Sequence, residues 1–237
     1  VIADLNGDGY KDLIFANFIH GSTLMEIPAY IYWGGSDGFN ALRRSVLPGD
    51  RGTSIAVEDL TGDGLLDIVI ANSGREHLGI ETPDFSHDAL SKRGGPREKS
   101  SYFFRQSEGG FSIADREVIP TVYAVDVKIA DLDKDGKKEV VFLELGEPGA
   151  LRIVAYKDGK WNNRELLPVR APKALPAGKI IYQEILLKDL NGDGYPDIFA
   201  PSAGTPSEIF WNDKGKFSAK NKTILETENA MSADAED

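Results

Sequence analysis

The chain has no cysteine. That excludes disulfides, thiolate metal sites and cysteine nucleophiles, but it leaves the compartment open. Only three histidines are present, His20, His77 and His87. No HExxH, GxSxG, phosphate-loop or GxGxxG pattern accompanies them. No apolar run approaches the roughly 18 residues of a membrane span. Helical periodicity of useful length is absent as well. Positive charge is scarce: 27 Lys and Arg face 38 Asp and Glu, a formal net charge of −11. That balance argues against nucleic acid or an anionic membrane surface as partner, because both attract basic patches.

What remains is a chain of 237 residues that is 41% hydrophobic and 27% charged, enough to bury a core. No signal peptide is visible, and residue 1 reads as the middle of something longer. An internal repeat organises the rest. DLNGDGYKD (4–12) recurs as DLTGDGLLD (59–67), DLDKDGKKE (131–139) and DLNGDGYPD (189–197), at offsets of 55, 72 and 58 residues. An alternating or apolar run precedes the later copies. A short, nearly all-apolar run follows each: DLIFAN, DIVIAN, EVVFLE and DIFAPS. Such runs, bounded by Gly, Asp and Asn, predict strands, and the continuous ones predict strands buried on both faces.

A second unit recurs downstream: YIYWGGSDGF, YFFRQSEGGF, IVAYKDGKW and IFWNDKGKF. Each is an aromatic strand, a Gly-containing turn and another aromatic, the signature of a hairpin. The fold class is therefore all-β, with four repeats of four antiparallel strands arranged as the blades of a β-propeller. The approximate blades are 1–50, 51–119, 120–177 and 178–229. SADAED (232–237) aligns with SIAVED (54–59). Residues 230–237 are accordingly read as the first strand of a further blade, or as the strand that closes the first. The array is expected to be part of a larger six- to eight-bladed ring, with a closed four-bladed ring as the alternative.

Number each acidic loop 1 to 9. Positions 1, 3 and 5 are Asp4, Asn6 and Asp8; Asp59, Thr61 and Asp63; Asp131, Asp133 and Asp135; and Asp189, Asn191 and Asp193. Position 9 is Asp12, Asp67, Glu139 and Asp197, and position 6 is always Gly. Calcium takes six to eight hard oxygen ligands in flexible geometry. Short oxygen-bearing side chains at 1, 3 and 5 suit it, and Gly supplies the sharp turn between them. The carbonyl of position 7 (Tyr10, Leu65, Lys137, Tyr195) and the acid at position 9 complete the predicted shell. Thr61 makes the second loop the weakest, since it offers only a hydroxyl. An EF-hand does not fit: its position 12 must be Glu, and here it is Phe15, Ile70, Phe142 or Ala200. Magnesium, which dehydrates reluctantly, suits these loops less well. The bland alternative is a metal-free Asx/Gly turn. The loops hold 13 carboxylates, and the eight positive charges of four calcium ions would bring −11 to about −3. Bound calcium would therefore contribute to folding.

These loops and hairpins resemble the FG-GAP/VCBS repeat family, whose calcium loop is shared by integrin α propellers; the pattern sits closer to the bacterial VCBS type. The resemblance spans nearly the whole chain. It implies one calcium per loop on positions 1, 3, 5, 7 and 9, and a secreted or cell-surface protein. The roles it implies run from adhesion and glycan or protein binding to structural scaffolding. A few related propellers are polysaccharide lyases.

Chemistry beyond calcium is sparse. The insertion 72–101 carries Glu76, His77, Asp84, His87, Asp88 and the basic residues Lys92, Arg93, Arg97 and Lys99. It is read first as a solvated surface loop, then as a ligand-binding rim, and last as the seat of a lyase or hydrolase. Trp33, Trp161 and Trp211 recur near the hairpins and are expected to pack rather than to stack on sugars. The sequon Asn221-Lys222-Thr223 matters only if the chain is secreted. The expected function is thus a non-catalytic extracellular calcium-binding module. A glycan-degrading enzyme and a subunit joined edge to edge into a filament or layer are the alternatives.

Overall fold

The computed structural model describes residues 1–18, 28–73, 100–108, 110–145, 149–169, 184–202, 205–227, 230 and 232–234. Among them lie sixteen strands and no helix. The first sheet holds β1 (Ile2–Ala3), β2 (Asp12–Phe15), β3 (Ala29–Tyr32) and β4 (Arg44–Leu47). The second holds β5 (Gly52–Glu58), β6 (Asp67–Asn72), β7 (Ser100–Ser107) and β8 (Gly110–Pro120). The third holds β9 (Ala124–Ala130), β10 (Glu139–Glu144), β11 (Ala150–Lys157) and β12 (Lys160–Pro168). The fourth holds β13 (Leu186–Lys188), β14 (Asp197–Ala200), β15 (Ser207–Phe210) and β16 (Lys222–Leu225). Each sheet is an antiparallel meander in chain order, as the repeat predicts. The insertion residues 74–99, His20 among the histidines, and 235–237 lie outside the described residues.

The double-sided apolar runs have a direct packing cause. Every residue of β6 is buried. Its side chains alternate: Ile68 and Ile70 pack with Ile14 and Ile31 of the first sheet. Val69 and Ala71 face the other way, onto Val127, Val140 and Phe142 of the third. The fully buried β10 repeats this, with Val140 and Phe142 toward the second sheet and Val141 and Leu143 toward Ile198 and Phe210 of the fourth. Fully burying such a side chain stabilises by about 1.5–3 kcal/mol. Sheets covered on both faces therefore hold one another in place. Among the described residues only one face of the first sheet is covered: Ile2, Phe15 and Val46 on its other face are well exposed.

The first strands of successive sheets are stitched by polar bonds. Thr53 Oγ1 of β5 donates to the Ala124 carbonyl of β9 at 2.9 Å. Asp126 of β9 accepts from Ser54 Oγ at 2.6 Å and from the Ile185 N–H at 2.8 Å. Ser232–Asp234 border a cavity with Lys128, Leu186 and Leu187, beside the first strands of the third and fourth sheets. The first place of the first sheet belongs to β1, where Ile2 pairs with Leu13.

Turn chemistry closes the hairpins. Asp158 and Gly159 both adopt positive φ between Lys157 and Lys160, the conformation of a two-residue type I′ turn. Trp33 and Trp211 hold equivalent places, each donating its indole N–H at 2.9 Å to a hydroxyl on the outer strand, Ser45 or Thr223. Trp161 instead wedges between sheets, its ring 5.0 Å from Phe103 and 5.1 Å from Tyr156.

Candidate metal sites in the acidic loops

Each acidic loop joins the first two strands of its sheet. Position 12, counted as in an EF-hand, falls inside β2, β6, β10 or β14, so no EF-hand forms. The position-1 carboxylate sits at the mouth of each curl and gathers backbone donors. Asp4 accepts from the Asp8 and Gly9 N–H groups at 3.2 and 2.9 Å. Asp59 accepts from Gly62, Asp63 and Gly64, and Asp189 from Gly192, Asp193 and Gly194. The N–H of position 7 (Tyr10, Leu65, Lys137, Tyr195) donates to the position-5 carboxylate at 2.8–3.0 Å in all four loops. This curl explains the invariant Gly at position 6, whose φ lies between 85° and 88°. Position 4 is left-handed too: Gly7, Gly62 and Gly192, and the non-glycine Lys134 at φ 63°.

Position 3 divides the loops. Asn6 accepts the Asp8 N–H on its Oδ1 and donates from Nδ2 to Asp8 Oδ2 at 3.0 Å. Asn191 does the same with Asp193. Asp133 accepts the Asp135 N–H at 3.2 Å but has no amide to donate. Thr61 makes no such closure; its backbone N–H goes to Asp67 at 3.2 Å.

The acid at position 9 is the buried member. Asp12, Asp67 and Asp197 are 0% exposed and Glu139 is 2%. One oxygen accepts the position-2 N–H, from Leu5, Leu60, Leu132 or Leu190, at 2.9–3.1 Å. In loops one, two and four the other accepts a hairpin N–H, from Gly34, Gln106 or Asn212, at 2.8–3.0 Å. Burial pushes the Asp67, Glu139 and Asp197 carboxyls up against these donors. Toward the solvent the shift reverses. The Leu65 N–H, helped by Arg105, holds Asp63 down. Desolvation raises Asp189, and the N–H groups of Gly194, Gly192, Asp193 and Asn191 outweigh it, leaving it lowered.

Asp131, Asp133 and Glu139 of the third loop bring ligand oxygens within 4.8 Å of one another. Asp131 Oδ1 is buried there with no hydrogen-bond partner, although Asp131 Oδ2 accepts the Gly136 N–H at 3.0 Å. An orphaned carboxylate oxygen beside two more carboxylates fits a hard cation.

Residues outside the nine-residue pattern tie the loops together. Gln106 Nε2 donates to the Leu5 carbonyl of loop one at 2.8 Å, and Asn212 Nδ2 to the Leu132 carbonyl of loop three at 2.9 Å. Lys134 Nζ lies 4.5 Å from the Tyr195 ring, joining loops three and four. Two arginines also enter the loops: Arg105 of β7 pairs with Asp63 at 3.0 Å, and Arg164 of β12 pairs with Asp133 and Glu139. The loop pattern itself carries no trace of either arginine.

Residues 4–70 and 189–237 match the model of the FG-GAP-like repeat. Those two stretches of the chain are FG-GAP-like repeats. Such repeats form propeller blades, and the four sheets are four of them. The matched residues take in loops one, two and four; the third loop, with Asp133, Glu139 and Arg164, lies outside them. Human integrin alpha-6 is 30% identical over 114 residues, 44% of this chain. The aligned stretch spans only 9% of that relative's length. A crystal structure of the rhamnogalacturonan lyase YesW is similar at a TM-score of 0.45 and 16% identity, over 97% of this chain and 48% of the other.

Proposed function

We propose that this chain is a calcium-stabilised, non-catalytic propeller module. It would act outside the cell or at its surface, presenting a glycan- or protein-binding face. The observation that carries the calcium part is Asp131 Oδ1, a buried carboxylate oxygen without a donor, facing no shortage of neighbouring acids. Residues at positions 1, 3, 5, 7 and 9 of each loop would hold the ion. Its chemistry would be electrostatic: a divalent charge screens carboxylates that otherwise repel. The FG-GAP-like match supports the same reading.

Calorimetric titration of the EDTA-stripped chain with calcium tests it. Heat of binding and a rise in melting temperature are expected, since an ion at 100 times its Kd adds about 2.7 kcal/mol per site. If calcium produces neither heat nor a higher melting temperature, the proposal is wrong.

A further inference from the structure

Arg164 is the cation that the loop pattern does not announce. It stands on β12, the outer strand of the third sheet, with its side chain 29% exposed. Its Nη1 lies 2.5 Å from Glu139 Oε1 and its Nη2 lies 2.9 Å from Asp133 Oδ2. Nη2 also reaches the Gly215 carbonyl at 3.4 Å. One planar fork therefore bridges positions 3 and 9 of the loop.

Loops one and four show what the fork replaces. There the position-3 side chain is Asn, which donates its own amide to position 5. There the second oxygen of the position-9 Asp accepts a hairpin N–H, from Gly34 or Asn212. Loop three has Asp133 instead of Asn, and Glu139 instead of Asp. It has one carboxylate too many and one side chain a methylene too long. Arg164 supplies the missing donor to each. Its charge also brings four carboxylates to a net of about −3, matching the three of loops one and four.

The fork engages only the outer oxygens. Asp133 Oδ1 keeps its bond to the Asp135 N–H, and Glu139 Oε2 keeps the Leu132 N–H. Asp131 Oδ1 is left bare among them. We propose that Arg164 is a positioning residue that converges Asp133 and Glu139 on Asp131 to receive a divalent cation in the third loop. This rests on the calcium reading above. The rival is that the guanidinium itself serves as the resident cation and keeps calcium out.

Hydrogen–deuterium exchange of the whole EDTA-stripped chain, titrated with calcium alone, separates the two. Peptides covering each loop report their own half-protection concentration. Arg164→Lys keeps the charge and loses the planar fork. It is expected to raise that concentration about tenfold for loop three (~1.4 kcal/mol), with loops one and four unmoved. Those two loops also show that the variant is folded. The double variant Asp133→Asn/Arg164→Gln keeps the net charge and copies the wiring of loops one and four. It is expected to return loop three to within about threefold of the wild type. An unchanged or lower concentration for Arg164→Lys overturns the proposal in favour of the resident cation, and so does a double variant that fails to recover while loops one and four respond normally. Calcium protection of loops one and four but not of loop three in the wild type likewise favours the resident cation, whereas its absence from every loop overturns the calcium reading on which the proposal rests.

Discussion

Loops one and four close themselves, whereas loops two and three borrow an arginine. In the first pair a single Asn at position 3 accepts one bond and donates another within three residues. In the second pair Thr61 and Asp133 lack that amide. Arg105 then reaches Asp63 from β7, and Arg164 reaches Asp133 and Glu139 from β12. The two arginines differ in setting. Arg105 is half exposed over a surface carboxylate, whereas Arg164 meets Glu139, whose side chain is 3% exposed. The lesson is that one nine-residue curl admits two kinds of wiring, local and long-range. The backbone curl is common to both, and so is the one buried acid of each loop, at position 9.

The largest effect is expected at that common acid. Asp197→Ala removes the acceptor of two N–H groups, Leu190 and Asn212, at a fully buried position. An unsatisfied buried donor costs about 1–3 kcal/mol, so the loss should reach roughly 2–5 kcal/mol. Asp193→Ala, at the exposed position 5, should be nearly silent in EDTA and should show its cost only when calcium is present. Urea denaturation of both variants, with and without calcium, checks this. Equal losses in EDTA would remove the distinction between a brace at position 9 and a ligand at position 5.

The arginines come next. In EDTA, Arg164→Gln should cost about 2 kcal/mol, because it leaves buried Glu139 with a single donor. Arg105→Gln should cost under about 0.5 kcal/mol, as exposed ion pairs do. If the two costs are the same by chemical denaturation, the contrast between the borrowed arginines collapses. A backbone change falls between them. Gly194→Ala imposes a Cβ at φ 88°, where it would also meet Lys134 Nζ. A loss of about 1 kcal/mol is expected.

Much of the fold was legible because its signals are local. Continuous runs such as DIVIAN announce strands covered on both faces, and the alternation of Ile68 and Ile70 against Val69 and Ala71 realises that. The curl of each loop was equally visible, since Asp, Asn and Gly at fixed spacing act within nine residues. The left-handed position 4 was missed because Lys134 breaks the Gly pattern there. Position 9 was read only as a ligand, but its burial and paired N–H donors make it a structural brace as well. Its second donor comes from a hairpin whose identity varies among Gly34, Gln106 and Asn212, so no residue type marks it. Arg164 lies 25 residues beyond Glu139 and declares itself only when β12 is laid beside the loop. The hints that a distant donor was needed were an Asp at position 3 where loops one and four carry Asn, and a Glu at position 9 where the other loops carry Asp.

Asp126 gives the smallest effect and a control for the buried acids, since it belongs to no loop. It is 3% exposed on β9, between Ser54 and the Ile185 N–H, with Lys128 Nζ 3.7 Å away. Burial raises its carboxyl above the ordinary 3.8, and Lys128, Ser54 and Ile185 oppose that rise without cancelling it. A raised acid binds its proton more tightly folded than unfolded. Its contribution is therefore fully present below the unfolded value and is lost as pH rises through the folded one. Asp126→Asn keeps an acceptor for the Ile185 N–H, reverses the Ser54 bond so that the amide donates to Ser54 Oγ, and cannot ionise. In EDTA, the wild type should lose melting temperature relative to this variant as pH climbs from about 4 to 7, by about one degree in a domain of this size. Because the loop carboxylates are shared, they cancel in the difference between the two curves. Parallel curves would mean that Ser54, Ile185 and Lys128 already compensate burial in full. The raised acids at position 9, which hold comparable N–H donors, would then have no claim to sense burial either.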